Sequence, residues 1–282
     1  MMPGLEAFRL DGQVAVVTGA GGLLGPHHCA ALAEAGALVV AVEPDLERAA
    51  AAKRAASEAV VERIHPWALD VCDETAVQAA CAAVAGRWGR VQVLLNNAAL
   101  NDKVEDPVSA SSAASVAAHA SALPNFPLAL FERYLRINLS GTFLMCKHFG
   151  AHMAAAGGGS IINVASTYAL VGPDQRLYRD RDGKQRFFKS VAYPASKAGV
   201  LGLTRALATY WGEQGVRVNT LTPGGVDGGQ DADFAARYAA RTPLGRMAQP
   251  EDYRGAVLFL ASAASGYMTG GNLVVDGGWT AW

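Results

Sequence analysis

The chain has 282 residues, 51% apolar and 17% charged, with 31 glycines, enough for one large core in an α/β protein with tight strand-to-helix turns. Its net charge of -1 gives no bulk field for nucleic acid or an anionic membrane, and it has no Lys/Arg run of the usual binding kind. The start, Met1-Met2-Pro3-Gly4-Leu5-Glu6, lacks a basic segment followed by an apolar one, and no run of about eighteen apolar residues follows, so a cytoplasmic protein of one domain over 1–282 is expected.

Val14-Ala15-Val16-Val17 is a short apolar run with β-branched residues, and Thr18-Gly19-Ala20-Gly21-Gly22-Leu23-Leu24-Gly25 follows it directly. An Ala-rich helical stretch to Ala35 comes next, with Pro26 in its first turn, where a missing N–H costs nothing. The glycines therefore lie at a strand-to-helix turn, where backbone N–H groups and the positive helix end hold a pyrophosphate; a Gly-rich turn without ligand is the plainer alternative. Leu38-Val39-Val40-Ala41-Val42 ends in Glu43, about twenty residues past the loop, where a carboxylate can accept both ribose hydroxyls of an adenosine, or be a solvated strand end. A 2′-phosphate would meet that carboxylate as a like charge, so NAD is preferred over NADP. Arg48, the nearby cation that could rescue NADP, is expected a helical turn or more further on.

The spacing predicts a helix from Asp45 to Ala59, a third strand from Ile64 to Leu69 and a helix from Asp73 to Trp88. Asp70-Val71 closes the third strand, where a carboxylate and a backbone N–H can flank an adenine. The fourth strand, Val91 to Leu95, ends in Asn96-Asn97-Ala98-Ala99. Ile161 to Ala165 reads as the fifth strand, Ala192 to Gln214 as a helix and Val216 to Leu221 as the sixth strand. Glu251 to Ser262 follows as the last long helix and Asn272 to Val275 as the last strand. This alternation is a doubly wound parallel sheet of the Rossmann type, with helices on both faces and ligands at the carboxyl ends of its strands.

Tyr193-Pro194-Ala195-Ser196-Lys197 places a phenol and an ammonium one turn apart on a helix face. Bringing a phenol from its reference pKa of ~10 to about 7 takes on the order of 4 kcal/mol, and a partly desolvated cation beside the positive ring of an oxidised nicotinamide is of that order. Such a pair can serve as general acid/base on an alcohol or carbonyl; the same spacing also describes an ordinary surface pair.

The ordered set of Thr18 to Gly25, Asp70, Asn96-Asn97-Ala98, Asn138, Ser166, Tyr193xxxLys197, Pro223-Gly224 and Val275-Asp276-Gly277-Gly278 resembles a short-chain dehydrogenase/reductase of the single-domain, classical type, across nearly the whole chain. The resemblance implies about seven strands in the order 3-2-1-4-5-6-7 and a homo-oligomer, a tetramer or dimer. It implies Tyr193 as acid/base, Lys197 lowering its pKa and holding the nicotinamide ribose, Ser166 bonding the reacting oxygen, and Asn138 holding a water in a proton relay. Gly19, Gly22, Leu23, Leu24, Glu43, Asp70, Val71, Asn97, Pro223 and Val226, with Tyr193 and Lys197, would hold NAD. Two departures are visible. Leu23 stands where classical members more often have glycine, a spacing similar to the extended relatives that act on nucleotide sugars, and Gly228 stands where many members have a Thr contacting the nicotinamide amide.

Two insertions bear on the substrate. The first, near 101–127, contains the Ala/Ser-rich piece Ser109 to Ser121 and reads as a surface loop. The second, near 172–190, separates Ser166 from Tyr193 by 27 positions, about twice the family's usual spacing, and Asp182-Gly183 reads as its hairpin turn. Rooted between two catalytic residues, it borders the pocket, and Gln175 or Arg176 could hold a carboxylate or hydroxyls of a sugar acid. A flap near 228–247 would hinge at Gly228-Gly229. Trp279 and Trp282, with little chain left to cover them, suggest a subunit interface or a frayed end. His148 and His152 lie four apart on a helix without an apparent third ligand, so no metal is expected. Cys29, Cys72, Cys81 and Cys146 show no CxxC pair and are expected as reduced, mostly buried thiols.

The expected function is NAD-dependent oxidation of a hydroxyl on a sugar, sugar acid or polyol, a small hydroxylated molecule. The rivals are a 3-oxoacyl thioester reductase, which Glu43 opposes, a sugar epimerase or dehydratase, and a non-catalytic nucleotide-binding sensor, which would need neither Ser166 nor the Tyr193, Lys197 and Asn138 set.

Overall fold

The computed structural model describes residues 4–101 and 121–282. The Ala/Ser-rich part of the first insertion lies outside those residues. Seven parallel strands, β1 (Val14–Thr18), β2 (Leu38–Glu43), β3 (Ile64–Ala68), β4 (Val91–Asn96), β5 (Gly159–Val164), β6 (Val216–Pro223) and β7 (Asn272–Val275), lie in the order β3-β2-β1-β4-β5-β6-β7.

Alternation within each strand explains the layers. Val14 and Val16 join Val40, Leu94, Ile161 and Val218 in a core under Met145, Phe149 and Trp211, while Ala15 and Val17 join Val39, Leu95 and Ile162 under Cys29, Leu32, Val257 and Leu260. Successive side chains point to opposite faces, so a strand buried on both must be apolar at every position. The pairings Thr18 with Val42 and Asn96, Glu43 with Ala68, Asn96 with Asn163, and Val164 with Leu221 bring the strand ends to one edge of the sheet. That edge carries the candidate site residues that end these strands, Thr18, Glu43 and Asn96 among them.

Several boundaries differ from the expected ones. The helix expected over Asp45 to Ala59 is α-helical only across Leu46–Ala50, tightens to a 3-10 turn across Ala51–Ala55, and ends with Ala56 extended. Asp45 caps it, accepting from the Arg48 N–H at 2.8 Å. Only Ala49 and Ala52 of this stretch are buried, and a short helix with so little packed surface gains too little from propensity alone to extend. The helix expected from Glu251 begins as a 3-10 turn at Pro250–Tyr253 and continues as Arg254–Ala261, its start fixed by the capping box of Gln249 and Asp252.

The second insertion and the segment expected as a flap pack on each other. The flap carries the helix Ala232–Ala240, capped by Asp231, which accepts from Phe234 N at 2.9 Å, and Gly229 has φ +84° at the expected hinge. Phe234 and Tyr238 of this helix share an apolar cluster with Leu177, Tyr178 and Phe187 of the second insertion, Met247 and Trp279. Trp279 stacks on Tyr238 at 4.1 Å between ring centres and is buried within its own chain, so it is not the interface group expected from the sequence; the tail folds back over the flap. Trp282 remains 78% exposed, with its indole N–H donating to the Arg241 carbonyl. The insertion turns at Asp182-Gly183, with Gly183 at φ +78° and an antiparallel bridge from Arg179 to Gln185. Arg181 at its tip makes a bidentate pair with Asp233 of the flap helix, at 2.6 and 2.9 Å.

Candidate active site

The Gly-rich loop is pinned from both sides. Thr18 Oγ1 accepts from the N–H groups of Asn97 and Ala98 at 3.1 and 3.0 Å, and the Asn97 carboxamide donates to the carbonyls of Thr18 and Gly19. A side chain on Gly19 would meet the Ala98 backbone at 2.7 Å, and its φ of +64° suits glycine. One on Gly25 would meet the Gly19 carbonyl at 2.3 Å. A side chain on Gly22, in contrast, has only that carbonyl within 4 Å, which leaves the loop's outer surface open for a phosphate to approach the backbone. Leu24 precedes the first turn of the helix Gly25–Glu34 as its N-terminal cap.

Glu43 is 4% exposed, and its Oε1 accepts from the Gly21 N–H at 2.9 Å. Arg48 is not a turn out of reach, as expected, but has its Nε 3.6 Å from Glu43 Oε2, because the Asp45 cap folds the following turn back toward the loop. Arg54 reaches further back and donates to the Gly21 carbonyl at 2.9 Å. Asp70 accepts from Cys72 N at 2.9 Å in a turn after β3, and Val71 packs where a side chain on Gly141 would stand. At the far end of the cleft Pro223 closes β6 and Val226 bridges to Ala248.

The two departures from the family pattern, Leu23 and Gly228, are neighbours. A side chain on Gly228 would meet Leu23 Cδ2 at 3.2 Å, so the bulk gained at position 23 occupies the space that position 228 gives up. We expect Gly228→Thr alone to weaken cofactor binding about tenfold, a cost of ~1.4 kcal/mol for overpacking, and Leu23→Gly in the same chain to restore it. Titration of NADH fluorescence reads both; additive losses would show the positions to be independent.

Tyr193 and Lys197 lie in the first turns of the helix Ala192–Trp211, 9% and 2% exposed, with the ammonium 6.0 Å from the centre of the phenol ring. Lys197 Nζ donates to the Val164 carbonyl at the end of β5 at 2.7 Å, and burial pulls its pKa down from 10.5 to about 8. Ser166, two residues past the same strand, is 8% exposed and accepts from Tyr168 N at 3.2 Å. Asn138 is fully buried in a π-helical turn, Arg136–Gly141, the first of two such interruptions in the helix that begins at Leu128. Its carboxamide accepts from Leu100 N and donates to Leu100 O and to Ser196 Oγ, and Ser196 Oγ donates to the Tyr193 carbonyl at 2.8 Å.

Sequence reasoning missed the polar ladder beneath this site. Asn96 donates to Asn163 Oδ1, Asn163 to Thr204 Oγ1, and Thr220 to the same Thr204 hydroxyl, at 2.8, 3.0 and 3.0 Å, tying the helix of Tyr193 to three strands. Its signal was present: an Asn inside an apolar strand is buried polarity that requires a partner. Thr18, Ser196 and Lys189 were also missed as site residues.

The second insertion separates the two substrate candidates. Gln175 clamps Lys189, donating to its carbonyl at 3.0 Å and accepting from its N–H at 2.9 Å, and both line a cavity of about 330 Å³ with Phe126 and Phe188. Arg176 turns to Asp174 in a bidentate pair at 2.9 Å, its side chain 73% exposed, and it does not line that cavity. Asp174 also pairs with Arg241 of the flap. His148 faces Glu74, His152 accepts from Val91 N, and no cluster of three or more metal-ligating side chains occurs among the described residues. All four cysteines are free thiols, Cys72 half-buried and the others buried.

Comparison with known proteins agrees with this geometry. A family model described as enoyl-(acyl carrier protein) reductase matches residues 23–280. D-threitol dehydrogenase of Mycolicibacterium smegmatis is 39% identical over 97% of this chain and 95% of its own. Galactitol 2-dehydrogenase (L-tagatose-forming) of Cereibacter sphaeroides is 36% identical over 98% of each. The crystal structure of a gluconate 5-dehydrogenase from Burkholderia cenocepacia in complex with NADP and tartrate superposes with a TM-score of 0.82 at 30% identity, covering 99% of both chains. With a seven-stranded sheet in the order 3-2-1-4-5-6-7 and this motif set along its carboxyl edge, the chain belongs to the short-chain dehydrogenase/reductase family of oxidoreductases.

Proposed function

We propose that the protein interconverts a secondary alcohol and a ketone, or a sugar hemiacetal and lactone, on a polyol, sugar or sugar acid, with NAD as the preferred cofactor. The observation that carries this is the Tyr193 phenol with the buried Lys197 ammonium 6.0 Å from its ring, at the carboxyl end of the strand that leads to Ser166. Relatives named for threitol, galactitol and gluconate support the substrate class.

The loop at Gly19 and Gly22, Glu43, Asp70, Val71, Asn97 and Val226 would hold the dinucleotide, which when bound supplies the hydride acceptor. Tyr193 takes the hydroxyl proton of the substrate, and Lys197 stabilises the phenolate that does so. Ser166 donates to the oxygen on which charge develops. Both carboxamide protons of Asn138 are used, one by Leu100 and one by Ser196, so a relay water would be held by its backbone carbonyl, which already accepts from Thr142 Oγ1 at 2.9 Å. The Asn138 side chain acts instead by positioning the first turn of the Tyr193 helix.

Cofactor choice turns on Glu43. Its carboxylate is held by Gly21 N–H and faces Arg48, so it is fixed in place to accept ribose hydroxyls. Glu43→Ala removes the like charge and leaves Arg48 and Arg54 at the adenosine end, and the NAD over NADP preference should narrow by about tenfold or more. The ratio of kcat/KM values with the two cofactors tests this, and an unchanged ratio places the selectivity elsewhere. The reaction itself is tested by NADH formation across sugars, sugar acids, polyols and 3-hydroxyacyl thioesters, with Tyr193→Phe alongside. Turnover on one polyhydroxylated class, absent in the variant, is the expected result; turnover confined to thioesters would overturn the substrate class.

A further inference from the structure

The second insertion delivers a second lysine to the catalytic tyrosine. Lys189 is 6% exposed, and its ammonium stands 4.9 Å over the centre of the Tyr193 ring, nearer than that of Lys197. Nothing in its placement is loose. Gln175 holds its backbone N–H and carbonyl, Ser121 accepts from the preceding residue's N–H at 2.9 Å, and the ammonium donates to Asn101 Oδ1 at 2.5 Å. Asn101 follows directly on Leu100, whose N–H and carbonyl both bond Asn138. The roots of the two insertions are therefore clasped to each other beside the phenol.

We propose that Lys189 is a positioning residue for the reaction, a second cation that acts through Tyr193 by favouring its phenolate form. The inference rests on Tyr193 being the acid/base. A cation over an aromatic face is attracted by the ring quadrupole, and the attraction grows when the ring carries a full negative charge in a site shielded from water. Among the described residues, Leu100, Phe126, Leu130 and Phe131, which pack against the cluster that holds Tyr193, are apolar, and Tyr134 and Tyr168 bring phenols rather than carboxylates. Lys197, on the helix of Tyr193 itself, is the other cation over the ring and works in the same direction. The insertion thus contributes charge to the chemistry as well as a wall to the cavity.

The test removes the charge and keeps the clasp. Lys189→Gln can still donate to Asn101, and Lys189→Met is a second neutral variant should the first fail to fold. In either, the acidic limb of the pH profile of kcat/KM for alcohol oxidation moves up by about one pH unit. Activity falls about tenfold on the acidic side of that limb and converges with the wild type on the alkaline side, while Lys189→Arg keeps the limb in place. The Tyr193 phenol is also titrated directly, by the ultraviolet difference between each chain and its Tyr193→Phe counterpart, without any substrate. An unmoved limb and an unmoved phenol titration in the neutral variants would overturn the proposal, whatever activity they lose. Retained turnover in Tyr193→Phe would instead overturn the acid/base assignment, so the two failures are distinguishable.

Discussion

Tyr193→Phe should lower turnover by about 10²–10⁴-fold, the usual contribution of a positioned acid/base, while NADH affinity changes no more than a few-fold. The variant loses one oxygen. The ring itself packs with Tyr134, Leu100, Phe126 and Leu130 in an apolar cluster, and phenylalanine fills that space with the same shape. Both ammonium groups keep an aromatic face to stand over, and the helix start keeps the bond from Ser196 to the residue 193 carbonyl, which belongs to the backbone. Folding and the cofactor cleft should therefore be preserved, with the loss falling on proton transfer. Stopped-flow hydride transfer with the best substrate of the panel, beside NADH fluorescence titration, measures the two quantities separately. Undiminished turnover would refute the assigned role, and a parallel collapse of NADH binding would mean that the hydroxyl is structural.

What was legible in the sequence follows from how locally each feature is encoded. The strands could be read because both sheet faces are covered, so Val14 to Val17 or Ile161 to Val164 must be apolar almost throughout, and the loop because glycines such as Gly19 meet backbone that no side chain could approach. Long-range packing left no such trace. Trp279 looked like a residue with nothing to cover it until the flap helix supplied Tyr238, about forty positions earlier, as its stacking partner. Arg48 looked distant from Glu43 because an uninterrupted helix was expected, whereas the short capped turn bends it back. Lys189 is one of six Lys/Arg residues between 172 and 190, and only the clasp from Gln175 and Asn101 shows that it is turned inward to the phenol. The proposed catalytic residues were recognisable because together they match a motif set spread in order along the whole chain; the contacts made by the insertions were not, because their partners are distant in sequence.

Lys197→Met separates catalytic from structural value at the buried end of the same pair. Turnover should fall by about 10²-fold or more, since the phenolate loses the cation one helical turn away and the remaining Lys189 does not replace it. Stability should change little. Burial costs the ammonium on the order of 3 kcal/mol, from a pKa drawn down from 10.5 to about 8, while its hydrogen bond to the Val164 carbonyl, worth roughly 1.5–3 kcal/mol for a charged donor, offsets much of that cost, so removing both leaves little net change. The pH dependence is the sharper signature. Because the folded pKa lies below the unfolded one, the unfolded chain binds more protons between about pH 8 and 10.5, so this residue makes wild-type stability rise with pH across that window and fall as pH returns through 8. Methionine has no proton to lose. The difference in stability between wild type and variant, followed by thermal unfolding in small pH steps, should therefore tilt in favour of wild type from pH 8 upward. A flat difference would mean that Lys197 keeps an ordinary pKa in the folded chain, and that the phenolate is stabilised by a cation less desolvated than its burial implies.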